Sequence, residues 1–315
     1  MRMMTGIVYD SVFKQHDTGE GHPECPARID AVAAALEASG VGDNLQIIPV
    51  REAEIEELAL CHDPDYVAHI LGAIERGAQH FAGGDVPVGY RSGDVAKRAV
   101  GATLNAVDAV VSGEVRNAFV AGRPPGHHAT VNQPMGFCLF NNVAIGARYA
   151  QKTHNLSRIA IVDWDVHHGN GTQDIFYRNP WVFFFSTHQS PWFPGTGRVD
   201  EIGEGEGEGY TMNRPFEEGA GRSEILGAFE NDLLPALETY QPEMIFISAG
   251  FDARIGDPLG GFTLMDQDFA DLTRLMLDAA DRLCEGRLVS CLEGGYSLTG
   301  LAAAVASHLS ELASE

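Results

Sequence analysis

The chain is predicted to be α/β, with a central, mainly parallel sheet covered by helices on both faces. Three observations predict it. Short apolar runs rich in branched residues alternate with helix-period segments from end to end. No Pro/Ser-rich linker or repeat period interrupts them, so residues 1–315 read as one domain. Polar, glycine-bearing loops follow several of the apolar runs directly, and in parallel sheets ligands bind beyond the carboxyl ends of the strands.

The elements follow in order. Gly6–Asp10 has the pattern of a first strand, and Pro26–Ser39 that of a helix, with Pro26 suited to its first turn and Gly40 ending it. The segment between, His16–Arg28, is a loop rich in His, Gly, Glu and Pro. Gln46–Val50 predicts a short strand. Glu52–His62 and Asp65–Arg76 predict amphipathic helices, the second capped by Asp63 with Pro64 at its first position. Gly77–Gly89 has turn composition, and Asp94–Ser112 is a long Ala- and Val-rich helix. Asn117–Ala121 is a strand running into Gly122–Phe137, and Phe140–Gln151 a helix. Ile159–Val162 and Trp181–Ser186 are apolar strands. Thr187–Gly221 reads as a long irregular region of the kind that is functional or mobile. Arg222–Thr239 is a helix, Met244–Ser248 a strand, Asp266–Cys284 a helix, Arg287–Leu292 a strand and Leu298–Leu312 a closing helix.

With 44% hydrophobic residues the chain can bury a sizeable core. No apolar run reaches the length of a membrane span, and the opening MRMMTGIVYD lacks the apolar region and cleavage site of a signal peptide, so a cytoplasmic location is expected. The five cysteines (Cys25, Cys61, Cys138, Cys284, Cys291) form no C-x-x-C pair, which argues against a disulfide framework or a cysteine-built zinc site. Cys138 and Cys291 sit in apolar runs as core residues. A net charge of −23 disfavours nucleic acid and anionic membrane as partners. It suits cationic substrates, or serves solubility alone.

The densest chemistry lies in IAIVDWDVHHGNGTQ, Ile159–Gln173. Side chains of an extended segment alternate, so Asp163, Asp165 and His167 share one side and Trp164 and Val166 the other. Two buried carboxylates side by side are costly without a cation, and a divalent metal removes the conflict. A polar strand exit with a helix-capping turn is the plainer reading. Strand-end loops after Ala121, Val162, Ser248 and Leu292 bring His127, His128, Asp165, His167, Asp252 and Tyr296 within reach of one another. Asp252 is then the natural third metal ligand, or else a turn acid. Three ligands leave a position for water; two acids and one histidine also suit Fe²⁺, Co²⁺ or Mn²⁺. His127 and His128 suit acid–base work, the alternatives being metal ligation or ordinary loop histidines. Asp163 would orient one of them and Asn170 hold the other. Tyr296 could donate to an oxyanion, or simply follow a Gly-Gly turn. No G-x-S-x-G elbow, P-loop or dinucleotide fingerprint is present. His22, His62, His80 and His154 read as surface residues without convergent partners.

RPPGHHA, MGFCLFNN, DWDVHHGNGTQ, STHQSPWFPGTG, SAGFDARIGDPLGG and EGGY resemble, in order, the motifs of the zinc-dependent histone deacetylase and acetylpolyamine amidohydrolase superfamily. The similarity runs from HPECPARI at 22–29 to EGGYSL at 293–298, in the style of class II enzymes and their bacterial relatives. Asn170 stands where class I enzymes tend to carry an aspartate, leaving His128 without a carboxylate partner. The resemblance implies an arginase-like fold and hydrolysis of an N-acetyl amide, with one zinc held by Asp165, His167 and Asp252. It implies His128 as the base, His127 with Asp163 as the electrostatic member, and Tyr296 at the oxyanion. Phe137 and Phe193 resemble the walls of a channel for an aliphatic lysine stem, with Gly136 beside it. A structural potassium ion near Asp163, Asp165, His167 and Ser186 is also implied, and Arg28 resembles an arginine on the acetate exit path. Leu259 occupies the place of a glutamate gatekeeper in polyamine-selective relatives, which weakens a polyamine substrate. Arginase carries D-x-H-x-D and two manganese ions; D-V-H-H-G lacks the second acid and favours one metal. The expected substrate is an N-acyl-lysine peptide or a small acylated amine such as an acetylpolyamine. The alternative of another class is a catalytically silent acyl-lysine binder. The length of the 187–221 region suits a substrate lid or a subunit contact, the latter compatible with a homo-oligomer.

Overall fold

The computed structural model describes residues 4–314; residues 1–3 of the opening segment, and residue 315, lie outside the described residues. The first half holds β1 (Thr5–Val8), α1 (Ala27–Ser39), β2 (Leu45–Ile47), α2 (Ile55–Leu58) and α3 (Pro64–Glu75). Next come the short β3 (His80–Phe81) and β4 (Val86–Pro87), then α4 (Ser92–Val111), β5 (Asn117–Val120) and α5 (Asn142–His154). The second half holds β6 (Ile159–Asp163), α6 (Asn170–Phe176), β7 (Val182–Gln189), β8 (Thr211–Phe216), α7 (Arg222–Ala228) and α8 (Leu234–Tyr240). It closes with β9 (Met244–Ala249), α9 (Asp266–Leu283), β10 (Leu288–Leu292) and α10 (Leu298–Leu312).

Eight strands form one sheet in the order β2-β1-β5-β10-β9-β6-β7-β8, and every neighbouring pair is parallel. The apolar strands feed two cores, one on each face. Ile159 and Ile161 of β6 join Phe184, Phe246 and Val289 under α3, α4 and α5. Ala160 and Val162 turn to the other face, among Phe185, Ile245 and Ile247 under α1, α9 and α10. That alternation is the period-two geometry of a strand, and helices on both faces are why these strands carry no polar side. Each fully buried Ile or Phe contributes about 1.5–3 kcal/mol.

Four elements differ from the sequence expectation. Glu52–His62 is helical only over Ile55–Leu58, because tertiary hydrogen bonds claim its ends. Ala53 N–H donates to Lys97 O before it, and after it His62 is buried between Thr130 O and the Asn141 N–H. The turn segment Gly77–Gly89 carries the two-residue antiparallel pair β3–β4. Thr187–Gly221 is not wholly irregular: β7 runs on to Gln189, and Thr211–Phe216 adds β8 at the sheet edge. Pro215 masks that strand in the sequence, and a proline is tolerated at an edge because no further ladder needs its missing N–H. Arg222–Thr239 is broken by a π turn at Phe229–Leu233, just before Pro235, whose ring cannot follow ordinary helical spacing. All five cysteines are free, and Cys138 and Cys291 are core residues. Among the described residues no helix is long and apolar enough to cross a membrane.

Candidate metal centre and active site

The four central strands, β5, β10, β9 and β6, lie side by side and end at one edge of the sheet. The loops leaving them carry almost every residue singled out above. After β6 the chain keeps its alternation for four residues: Trp164 and Val166 pack into the core, while Asp165 and His167 turn inward with Asp163. Asp252, on the loop after β9, meets them. Ligand atoms of Asp165, His167 and Asp252 all lie within 4.8 Å of one another, and all three residues are buried. His167 Nδ1 stands 3.0 Å from Asp165 Oδ1 and 3.2 Å from Asp252 Oδ2.

These three groups fit a divalent cation. Among the described residues no lysine or arginine pairs with either carboxylate. Burial and the adjacent Asp165 push the Asp252 carboxyl up to about 7, and the two carboxylates outweigh burial to hold the His167 imidazolium up to about 10. Without a cation the trio therefore holds protons that a metal would displace. The cradle is tight as well: a Cβ at Gly294 would overlap the Asp252 carboxylate, so only glycine fits there. Gly294 N–H also donates to Asp165 Oδ2 at 2.8 Å.

The loop after β5 brings His127 and His128 over this trio, ring centroids 4.0 Å apart. His127 Nδ1 pairs with Asp163 Oδ2 at 2.9 Å, and His128 Nδ1 with Asn170 Oδ1 at 2.8 Å. An amide oxygen only accepts, so His128 carries its proton on Nδ1 and keeps a lone pair on Nε2. The two histidines are pushed apart electrostatically. Burial opposes charge on His127, but Asp163, Asp165 and Glu293 outweigh it and raise its pKa well above the usual value. Burial and the positive fields of His127 and His167 lower that of His128 well below it. Burial pushes Asp163 up to about 6, while Asp163, Asp165 and Glu293 favour the charged form of the His127 imidazole.

Tyr296 follows β10. Burial, and then Asp252, hold its phenol well above the usual pKa, so it keeps its proton and remains a donor. The Arg28 guanidinium lies 5.1 Å over its ring. Arg28 is itself fully buried, donating to Gly295 O and Glu293 O and paired with Glu24 at 3.0 Å.

A cavity of about 220 Å³ opens from this cluster to the surface, with His128, His167 and Tyr296 at its lining. Its remaining walls are Gly136, Phe137, Phe193 and Leu259, together with Asp85 and Trp192. Gly136 has φ 53°, and any side chain on it would strike the His128 ring. Phe193 meets His128 edge-on at 5.2 Å, and Phe137 meets Tyr296 edge-on at 5.9 Å. Ser186 lies beside Asp163 in register on β7, its hydroxyl 2.9 Å from His188 Nδ1.

Three participants went unassigned in the sequence. Asp85 accepts the Gly136 N–H at 2.6 Å, and nothing in its glycine-rich turn marks it. Trp192 donates from Nε1 to Leu259 O at 2.9 Å; its place beside Phe193 between two prolines was the available signal. Glu293, the acid of EGGY, accepts the Gly126 and His127 N–H groups at 2.7 and 3.1 Å and the Ser248 hydroxyl. The supposed surface histidines need correction. His62 is buried and twice hydrogen-bonded, His22 packs edge-on against Phe137 at 4.7 Å, and His154 pairs with Asp108 at 2.7 Å; His80 alone of the four is exposed.

Residues 22–312 match the histone deacetylase domain. "Histone deacetylase 14, chloroplastic" of Arabidopsis thaliana is 39% identical over 94% of this chain and 74% of its own length. "Histone deacetylase-like amidohydrolase" of Pseudomonas aeruginosa is 39% identical over 90% of this chain and 74% of its own. "Polyamine deacetylase HDAC10" of Danio rerio is 38% identical over 98% of this chain and 47% of its own. The crystal structure of the HDA15 HD domain superposes with a TM-score of 0.94 at 36% identity, covering 99% of this chain and 90% of that one. The family match over residues 22–312, with a structural match covering 99% of the chain, means that this chain belongs to the histone deacetylase family.

Proposed function

We propose that the protein is a zinc-dependent amidohydrolase that removes acetyl or related acyl groups from N-acyl-lysine, acting as a single domain in the cytoplasm. The observation that carries this reading is a convergence. A buried donor set of two carboxylates and one imidazole meets, through His167, the inner end of an aromatic-walled cavity that His128 and Tyr296 also line, with His127 beside His128.

Asp165, His167 and Asp252 would hold one zinc ion, which supplies Lewis-acid polarisation of the acyl carbonyl and acidifies water. The residues around it do the rest. Phe137 and Phe193 enclose the aliphatic stem of the acyl-lysine and exclude water. His128, neutral and with Nε2 free, takes the proton of the attacking water and then returns one to the leaving amine. His127, kept charged by Asp163, lends a positive field. Tyr296 donates a hydrogen bond to the developing oxyanion. The register of Ser186 beside Asp163 supports a structural potassium ion held by Asp163, Asp165, His167 and Ser186.

Purified protein should release acetate from an acetyl-lysine peptide, lose activity to a chelator, regain it with Zn²⁺ and be blocked by a hydroxamate. Metal-loaded protein inert on every acylated lysine and amine would sink the reading and leave a silent acyl-lysine binder, which Tyr296 and His128 at the cavity, with His127 beside His128, disfavour. The relative named polyamine deacetylase favours small acetylpolyamines as a second substrate class, while the apolar Leu259 at the cavity wall weighs against it. Parallel kcat/KM values on acetylpolyamine and acetyl-lysine peptide separate the two.

A further inference from the structure

Asp257 is a buried carboxylate on the loop after β9, outside the metal trio and outside the cavity lining. Among the described residues no lysine or arginine pairs with it. Its charge is satisfied instead by three backbone N–H donors drawn from two loops. Oδ1 accepts from Leu259 at 2.9 Å. Oδ2 accepts from Tyr296 at 2.7 Å and from Ser297 at 3.0 Å. The first bond is the local turn that any Asp two residues before its donor can make. The other two cross 39 and 40 residues of chain to the loop after β10, and no local preference accounts for them.

One carboxylate thus spans the wall of the channel and the residue at its floor. Leu259 is fixed through both backbone groups, its N–H by Asp257 and its C=O by the Trp192 indole. Tyr296 is fixed through its N–H by the same acid, while Ser297 caps α10 through its hydroxyl. Gly295, just before Tyr296, has φ 120°, so the chain there has little intrinsic stiffness and depends on such anchors. We propose that Asp257 is a positioning residue, which holds the Tyr296 phenol at the reacting carbonyl and keeps that placement in register with the channel wall at Leu259. The proposal rests on the hydrolase reading above.

The test is a double-mutant cycle on the zinc-loaded enzyme with an acetyl-lysine peptide. In Asp257→Asn one acceptor oxygen becomes an NH₂ donor. The remaining oxygen serves the local turn, and Tyr296 and Ser297 lose their acceptor. We expect kcat to fall roughly 10- to 100-fold, the cost of a misplaced catalytic group, with KM and zinc affinity changed less than about threefold. In a Tyr296→Phe background the same substitution should lower kcat by less than about threefold, since the phenol it positions is gone. Equal losses in both backgrounds would overturn the proposal, as would an Asp257→Asn enzyme with undiminished kcat. Asp257→Ser, which keeps a small acceptor, runs in parallel. A positioning role requires that at least one of the two variants fold and bind zinc, and loss of the fold in both overturns it too. Absence of turnover in the unaltered protein would remove the hydrolase reading itself, an outcome distinct from all of these.

Discussion

Asn170 decides, through one hydrogen bond, which nitrogen of His128 is basic. Its side-chain oxygen accepts from Nδ1 and adds no charge, so burial and the neighbouring imidazoles leave His128 with a lowered pKa. Asn170→Asp would put a carboxylate in the same place and stabilise the imidazolium. The pKa of His128 then rises, the base is protonated over a wider acidic range, and the acid limb of kcat/KM against pH moves upward by about one unit or more. An unmoved limb would mean that His128 is not the base. At Tyr296 the expectation concerns which constant changes. Tyr296→Phe removes a donor that matters once charge develops on the carbonyl, so kcat should fall by about 10²–10³ while KM shifts little. Equal losses in turnover and in binding would contradict the role.

At the scale of elements, the loops do more than carry ligands, because they are braced from beneath by buried ion pairs. Glu24, in the loop before α1, pairs with Arg123 after β5 and with Arg28 in α1, and Arg28 in turn holds the backbone after β10. Burial alone would raise the Glu24 pKa, but Arg123, then His16 and Arg28, outweigh it and lower it to about 2. The folded pKa lies below the usual 4.5, so this stabilisation is complete above about pH 4.5 and is lost as pH falls towards about 2. Glu24→Gln leaves two guanidinium groups uncompensated and should cost about 3–5 kcal/mol at neutral pH. Thermal melts of the two proteins should converge below pH 4.5; parallel melts across that range would refute the linkage. This brace also marks the limit of what the sequence discloses. Strand alternation and strand-end placement are legible, which is why Asp165, His167, Asp252, His127, His128 and Tyr296 group together in the sequence alone. Glu24, Asp257 and Glu293 are not, because the partners that give each its role (Arg123, the Tyr296 and Ser297 N–H groups, the Gly126 and His127 N–H groups) lie far away in the chain, and local pattern holds no trace of them. The short β8 was hidden likewise: Pro215 reads as a breaker unless the strand is known to lie at an edge.

For the whole molecule, the two prominent quantities are its charge and its capacity for a metal. A net charge of −23 predicts that kcat/KM for a cationic acetyl-lysine peptide falls as salt rises, while that for a neutral peptide stays level. Equal salt responses would reduce the acidic surface to a solubility device. The parallel sheet, its two cores and its four converging loops all serve to hold three ligands within 4.8 Å of one another. The most direct measurement is calorimetric titration of metal-free protein with Zn²⁺ in two buffers of different ionisation enthalpy. One ion should bind per chain with release of protons, because Asp252 near 7 and His167 near 10 must give theirs up, and Asp252→Ala should abolish the heat. Two ions per chain, binding without proton release, or binding that survives Asp252→Ala would contradict the single three-residue metal centre on which the account depends.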